Sequence, residues 1–421
     1  MGLLLDAAYA AAGLVASPWL LFKAFTDGRF RHRFGERLGA APRQDGTAPV
    51  LWVHAASVGE VNLVKPLVKR LLERRPGLRL HATTNTLQGW ANAVKSWPDA
   101  PVSYFPIDFS PAVARALDRV RPSAVLLAEL EVWPNFVAAC VRRGIPVAVV
   151  NGRITERSFR RYRRFGWLFR PAFRALAAAG AQSEAHAERL RALGARPVVT
   201  GNLKYDTSIG FDPEAEGARW RSDLGLGDAP VLVAGSTHDP EERILVETYR
   251  RLQATYPRLR LVLAPRHLER VDEVKKAVEA ADLRCYKKSL LHPPLPGDGV
   301  ILLDTVGELS RLYSAATAVF IGGTFCARGG QNMLEPAALG KPIVSGPSLA
   351  NFREIAGRLV DAGGMRVFDN PVEMGAALGQ LLKEPERARA AGERARAAVE
   401  AGRGAIDATL RLLEKDVLKG I

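Results

Sequence analysis

Gly322-Gly-Thr-Phe-Cys-Ala-Arg-Gly-Gly-Gln-Asn-Met-Leu-Glu-Pro336 lies between an apolar run, Ala318 to Ile321, and an Ala/Leu stretch. The run reads as a buried strand and the stretch as a helix, so four glycines fall on a strand-to-helix turn. Such a turn lets backbone approach a ligand closely and aims free N–H groups and a positive dipole end at an anion, usually a phosphate. Glu335, one turn into the helix, would then face the sugar hydroxyls of a nucleotide. Asn332 and Glu335 also have N-cap and N3 spacing, which satisfies helix donors with no ligand at all. Either reading puts a doubly wound α/β unit around this turn.

Outward from it, strand-like and helix-like stretches alternate, the pattern of parallel sheets covered by helices on both faces. Strands are expected at Val50 to His54, Leu78 to Thr84, Ala124 to Ala128 and Pro146 to Val150. A second series is expected at Pro230 to Ala234, Leu259 to Ala264, Val300 to Leu303, Ala318 to Ile321 and Pro342 to Val344. The polar, glycine-bearing segment between the series suits a linker. The expected organisation is a membrane anchor and basic flank over 1–30, a Rossmann-like domain over 31–206 and a linker over 207–228. A second Rossmann-like domain over 229–385 and a helical segment over 386–421 complete it, with a cleft between the two domains.

At 421 residues, with 48% hydrophobic and 24% charged content, the chain has room for two to three globular domains. Its formal charge of +15 calls for an anionic partner such as a phosphorylated lipid or a membrane surface. Aromatic residues make up only 7%, and neither basic-aromatic alternation nor a named nucleic-acid motif occurs, so nucleic acid is not expected as a partner. Cys140, Cys285 and Cys326 lie far apart without C-x-x-C spacing, which argues against a thiolate metal site and fits a reducing compartment.

Residues 7–22 carry no charge and are followed by Lys23, Arg29, Arg31, Arg33 and Arg37. A full span wants about 20 apolar residues, so this reads either as a short span or interfacial anchor, with the basic flank on the cytoplasmic side, or as a buried N-terminal helix of a soluble protein.

In open parallel sheets ligands bind at the carboxyl ends of strands, so the polar clusters there are the candidates. His54-Ala-Ala-Ser-Val-Gly-Glu60 offers Glu60 as a general base, although Ser57 and Glu60 also match a capping box. Glu129 and Glu131 emerge from a buried strand and share a face. They need a cation or hydroxyl partner, either in a site or among Arg153 to Arg164. Lys204 could neutralise a phosphate-bearing leaving group or be a solvated lysine. Pro265-Arg266-His267 and Asp304-Thr-Val-Gly-Glu308 repeat the strand-end pattern. No Walker A, H-E-x-x-H, G-x-S-x-G or Asp-x-Asp sequence occurs, which removes support from NTP hydrolysis, zinc proteolysis, serine hydrolysis and metal-bridged diphosphate donors.

Taken together, His54 to Glu60, Glu129 to Asn135, Asn151 to Tyr162, Gly201 to Asp206, Gly235 to Glu242, Pro265 to His267 and Gly322 to Pro336, followed by Gly346-Pro347 and Asn351 to Glu354, resemble the 3-deoxy-D-manno-octulosonic acid (Kdo) transferase family. The similarity covers nearly the whole chain in the same order. It implies a GT-B glycosyltransferase at the cytoplasmic face of a Gram-negative inner membrane, moving Kdo with inversion from CMP-Kdo to a lipid A precursor. In the family's motifs Glu60 matches the general base, and Glu129 and Lys204 match residues stabilising the transition state. Pro265, Arg266, Val306, Gly307, Glu308, Asn332, Met333, Leu334 and Glu335 match the segments that hold CMP. No metal or other cofactor is implied. Gln331, Met333 and Gly152 depart from the histidine, proline and alanine more usual at those places. Arg153, Arg157, Arg160, Arg161, Arg163 and Arg164 are candidates for acceptor phosphates or lipid headgroups. The other readings of these residues are a GT-B transferase using a different nucleotide sugar on a lipid, and a non-catalytic basic protein that binds membrane or RNA.

Overall fold

The computed structural model describes residues 5–7, 9, 11, 26, 32–206, 209–291 and 299–421. Most of the stretch expected as an anchor, 7–22, therefore lies outside the described residues. No helix among the described residues is long and apolar enough to cross a membrane. The chain forms two compact α/β units, Met1–Asp206 with Arg403–Ile421, and Thr207–Gly402.

The first unit contains β1 (Val50–His54), β2 (Arg79–Thr84), β3 (Val102–Tyr104), β4 (Ala124–Ala128), β5 (Val147–Gly152), β6 (Ala178–Ala181) and β7 (Pro197–Val199). They make one parallel sheet in the order β3-β2-β1-β4-β5-β6-β7. All of β1 is buried, and its alternate residues feed two cores. Leu51 and Val53 pack with Val61, Val64, Leu67 and Leu71 of the helix Val58–Arg74, while Val50 and Trp52 pack with Val113, Leu117 and Phe136 on the opposite face. Each such side chain contributes roughly 1.5–3 kcal/mol. Because the chain leaves β3 and returns to the far side of β1 as β4, the order reverses between β1 and β4. In doubly wound sheets ligands bind beyond the strand ends at such a reversal.

The second unit repeats the plan with β8 (Val231–Thr237), β9 (Arg260–Pro265), β10 (Cys285–Lys287), β11 (Val300–Leu302), β12 (Ala318–Ile321), β13 (Ile343–Ser345) and β14 (Met365–Val367). Its sheet is again parallel, ordered β10-β11-β9-β8-β12-β13-β14, and its order reverses between β8 and β12.

All nine expected strands are present, within three residues at their ends. Five more, β3, β6, β7, β10 and β14, carry only three or four residues each. Segments as short and small as Ala178-Ala-Gly-Ala181 offer no run for periodicity to register, and the neighbouring strands impose their conformation.

Two expectations are corrected. The segment 207–228 is not simply a linker, since it carries the helix Pro213–Asp223, whose Asp212 cap accepts from the Glu214 amide at 3.0 Å and whose Trp220 is buried. The segment 386–421 is not one element either. The helix Pro385–Glu400 belongs to the second unit, the chain turns at Gly404 with φ of +98°, and the helix Ala405–Asp416 belongs to the first. That last helix buries Ile406, Leu410 and Leu413 in the core that Leu51 enters. Its start is fixed by Asp206, whose carboxylate accepts from the Gly404 amide at 2.6 Å.

Candidate functional site

In the first unit the loops after β1 and β4 flank the reversal point. Ser57 caps the helix Val58–Arg74, and its hydroxyl donates to Glu60 Oε1 at 3.2 Å, while the Ala56 amide donates to Oε2 at 2.7 Å. The capping box is thus real, and it holds the carboxyl in place with lone pairs to spare. Burial pushes the Glu60 carboxyl up to about 7, opposed by the Ala56 amide and Ser57 and reinforced by the charges of Glu129 and Glu131.

Glu129 adopts φ of +55°, uncommon for a residue with a Cβ. Glu131 does not pair with the arginines of 153–164. Its Oε2 accepts from the Trp133 indole at 2.9 Å and the Asn85 amide at 3.4 Å, and lies 3.8 Å from His54 Nε2. Burial alone would raise its carboxyl, but His54, Trp133 and Asn85 outweigh that and hold it below the usual range. His54 is fully buried, stacks on Phe105 with ring centroids 4.0 Å apart, and turns Nδ1 toward the Thr83 hydroxyl at 3.1 Å.

Lys204 stands on a short turn, Leu203–Asp206, after β7. Burial lowers its ammonium, Glu129 pulls it back up, and Arg153 lowers it further. Three buried amides build this corner. Asn151 Oδ1 accepts from the Leu203 amide at 2.9 Å, Gln182 donates to the Asn151 carbonyl at 3.1 Å, and Asn202 donates to Gln182 at 3.3 Å. Gln182 carries no motif, and nothing in its local sequence announces it. Gly152 suits its packing, because a Cβ there would stand 2.9 Å from the Gly180 carbonyl oxygen. Glu60, Glu129 and Lys204 are therefore electrostatically linked through Glu129 in one unit. Arg153 faces Lys204, whereas Arg157, Arg160, Arg161, Arg163 and Arg164 lie on a helix, Glu156–Arg164, that buries no residue.

In the second unit the loops after β8 and β12 flank the reversal point. The turn Gly322–Pro336 does gather backbone donors, but its first ones are already taken. Glu241, fully buried, accepts on Oε2 from the amides of Gly323 at 2.8 Å and His238 at 3.0 Å. On Oε1 it accepts from Thr324 at 2.7 Å and Phe325 at 2.8 Å. These loop amides are not open to a phosphate, because an internal carboxylate fills their concavity. The helix after the turn, Leu334–Ala338, starts one residue later than expected. Asn332 nevertheless accepts from the Leu334 amide at 3.1 Å and donates to Glu335 at 2.9 Å. Burial raises the Glu335 carboxyl against that bond.

The remaining expected donor residues divide by exposure. Pro265, Met333 and Leu334 are buried, so only their main chains can meet a ligand. Arg266, Val306 and Gly307 are exposed. Glu308 accepts from Lys288 Nζ at 2.8 Å and from the Thr305 hydroxyl, which together outweigh burial and lower its carboxyl. Gln331 sets Nε2 3.4 Å from His238 Nε2, and the His238 ring lies 5.4 Å edge-on from that of His267. Burial, His267 and Arg328 lower His238. Among the described residues no group of three or more His, Cys, Asp or Glu side chains is placed to hold a metal ion.

Two parallel, doubly wound units with polar strand ends at both reversal points define a GT-B type protein. A structure with this fold, the UDP-GlcNAc 2-epimerase of Neisseria meningitidis bound to UDP-GlcNAc, aligns over 87% of this chain and all of its own at a TM-score of 0.59 and 15% identity. The family model of 3-Deoxy-D-manno-octulosonic-acid transferase (kdotransferase) matches residues 32–207. The 3-deoxy-D-manno-octulosonic acid transferase of Bordetella pertussis is 38% identical over 376 residues, 86% of this chain and 85% of the relative. That of Haemophilus influenzae is 31% identical over 370 residues, 86% of each chain. The chain belongs to the Kdo transferase family, and it is a glycosyltransferase.

Proposed function

We propose that the protein transfers Kdo, with inversion, from CMP-Kdo to a lipid A precursor during lipopolysaccharide core synthesis, at the cytoplasmic face of the inner membrane and without a metal. The family supports a nucleotide-sugar donor and a glycolipid acceptor. Glu60 takes the proton of the attacking acceptor hydroxyl. Glu129 stabilises positive charge developing on the donor sugar, and Lys204 balances the departing nucleotide. The segments carrying Pro265 and Arg266, Val306 to Glu308, and Asn332 to Glu335 hold CMP. A single phosphodiester on the donor asks for fewer cations than a diphosphate, which a few basic side chains can supply.

The observation that carries this reading is the Glu60 carboxyl, fixed by Ala56 and Ser57 and raised to about 7, the value a general base needs near neutral pH. The exposed arginines of the helix Glu156–Arg164 support an anionic lipid surface as the place where the acceptor is met. Mass spectrometry of the product formed from CMP-Kdo and lipid A precursor tests the proposal. A Kdo-bearing lipid supports it, and failure to form one with CMP-Kdo while another nucleotide sugar is consumed overturns it.

A further inference from the structure

The Glu241 side chain ties the two loops at the reversal point together, and the proposed reaction does not use it. Its carboxylate takes four amide hydrogen bonds of 2.7 to 3.0 Å, one from His238 after β8 and three from Gly323, Thr324 and Phe325 after β12. Amide bonds to a charged acceptor are each worth more than neutral ones, and here the group is fully buried. The concavity is therefore closed to a ligand anion. The backbone around it is correspondingly constrained, with Ser236 at φ of +56° and Gly323 at +72°. A Cβ on Gly322 would stand 2.2 Å from the Ser236 carbonyl oxygen, so the two loops already touch main chain to main chain.

The consequence lies at the far ends of the same loops. The residue whose amide Glu241 holds, His238, meets Gln331 at 3.4 Å, and Gln331 lies on the stretch that Gly323 begins. Arg328, His267 and Arg270 act on His238 with like charge, and Glu242 offsets them while itself pairing with Arg270 at 3.0 Å. We propose that Glu241 is a positioning residue for the donor. It occupies the amide nest as a built-in anion and so holds His238 and Gln331 in register to receive the anionic group of the nucleotide. This rests on the nucleotide-sugar reading above.

The test uses full-length Glu241→Gln and Glu241→Asp proteins with cytidine monophosphate as the probe. The glutamine variant places an N–H₂ against amides that need acceptors, and the aspartate keeps the charge but falls a methylene short. Both are expected to weaken calorimetric CMP affinity about tenfold or more and to raise the donor KM. The acceptor KM stays as in the parent. Hydrogen exchange at Gly323, Thr324 and Phe325 should quicken about tenfold without any ligand. Unchanged exchange at those amides, or faster exchange with CMP affinity kept, overturns the proposal. If the parent protein itself does not bind CMP, the donor reading fails separately, while the exchange arm still decides whether Glu241 holds the loops. If the glutamine variant does not fold, His238→Ala, which keeps the backbone amide on Glu241, must lose CMP affinity with exchange unchanged, and retained affinity overturns the positioning role.

Discussion

Asn151, in a left-handed conformation with φ of +56°, accepts on Oδ1 a 2.9 Å hydrogen bond from the amide of Leu203, the residue before Lys204. The end of β5 thereby sets the position of a lysine 53 residues further along. Asn151→Ala removes the acceptor, leaves a buried amide unpaired and places a Cβ residue in a disfavoured region. It should cost about 2–4 kcal/mol of stability. Misplacing Lys204 should lower turnover on the order of 10²-fold. Asn151→Gly accepts the backbone conformation but not the bond, so thermal melts and kcat of the two variants separate the contributions.

Glu60→Gln should lower turnover by about two to four orders of magnitude while leaving CMP affinity, which we propose for the other unit, unchanged. In the parent, activity should rise with pH through about 7 and level off above, since the base must be ionised. Stability runs the other way. The folded-state value lies above the usual 4.5, so between the two the folded protein binds more protons than the unfolded chain and loses stability as pH rises. At pH 8 the glutamine variant should therefore be more stable than the parent, by on the order of 1–3 kcal/mol, with the advantage gone below about pH 4.5. Denaturant titrations at the two pH values check the sign.

Much of this was legible in the sequence, for particular reasons. Runs such as Ala124 to Ala128 are buried on both faces and read as strands wherever they occur, so both sheets and the polar residues at their carboxyl ends could be placed. The capping boxes at Ser57 and Asn332 were legible because they are local. What was not legible depends on distant partners. Glu241 looks like an ordinary first-turn acid, and only its meeting with amides more than eighty residues away reveals it. Gln182 joins Asn151 to Asn202 across three strand ends without any local signature. The assignment of the last helix to the first unit likewise depends on distant partners, Asp206 and the core that Leu51 enters.

The arginine-bearing helix Glu156–Arg164 is followed by Phe165 and Trp167, 43% and 65% exposed. Basic residues near an anionic surface contribute about 1 kcal/mol each. Replacing Arg157, Arg160, Arg161, Arg163 and Arg164 with glutamine should weaken cosedimentation with phosphatidylglycerol vesicles about 10²-fold or more at low salt. The parent's binding should fall steeply with added salt, and Trp167→Ala should weaken it in a salt-independent way. Equal binding by parent and variant at low salt would remove this face from consideration.

Gly235, in β8, is hemmed between Ala264 of β9 and Ile321 of β12, and a Cβ built on it would stand 1.8 Å from the Tyr313 hydroxyl oxygen. Tyr313 is buried and cannot swing away, and burial followed by the Glu335 charge raises its phenol well above the ordinary value. Gly235→Ala must therefore displace either the ring or the strand, at a cost of about 1–3 kcal/mol. Because the ring's next atom would still lie at 2.8 Å, removing only the hydroxyl relieves part of the clash. The double variant with Tyr313→Phe should recover stability relative to Gly235→Ala alone, with a coupling energy of about 0.5–2 kcal/mol. Strict additivity of the two single effects in urea melts would mean that the strand, not the ring, absorbs the extra methyl group.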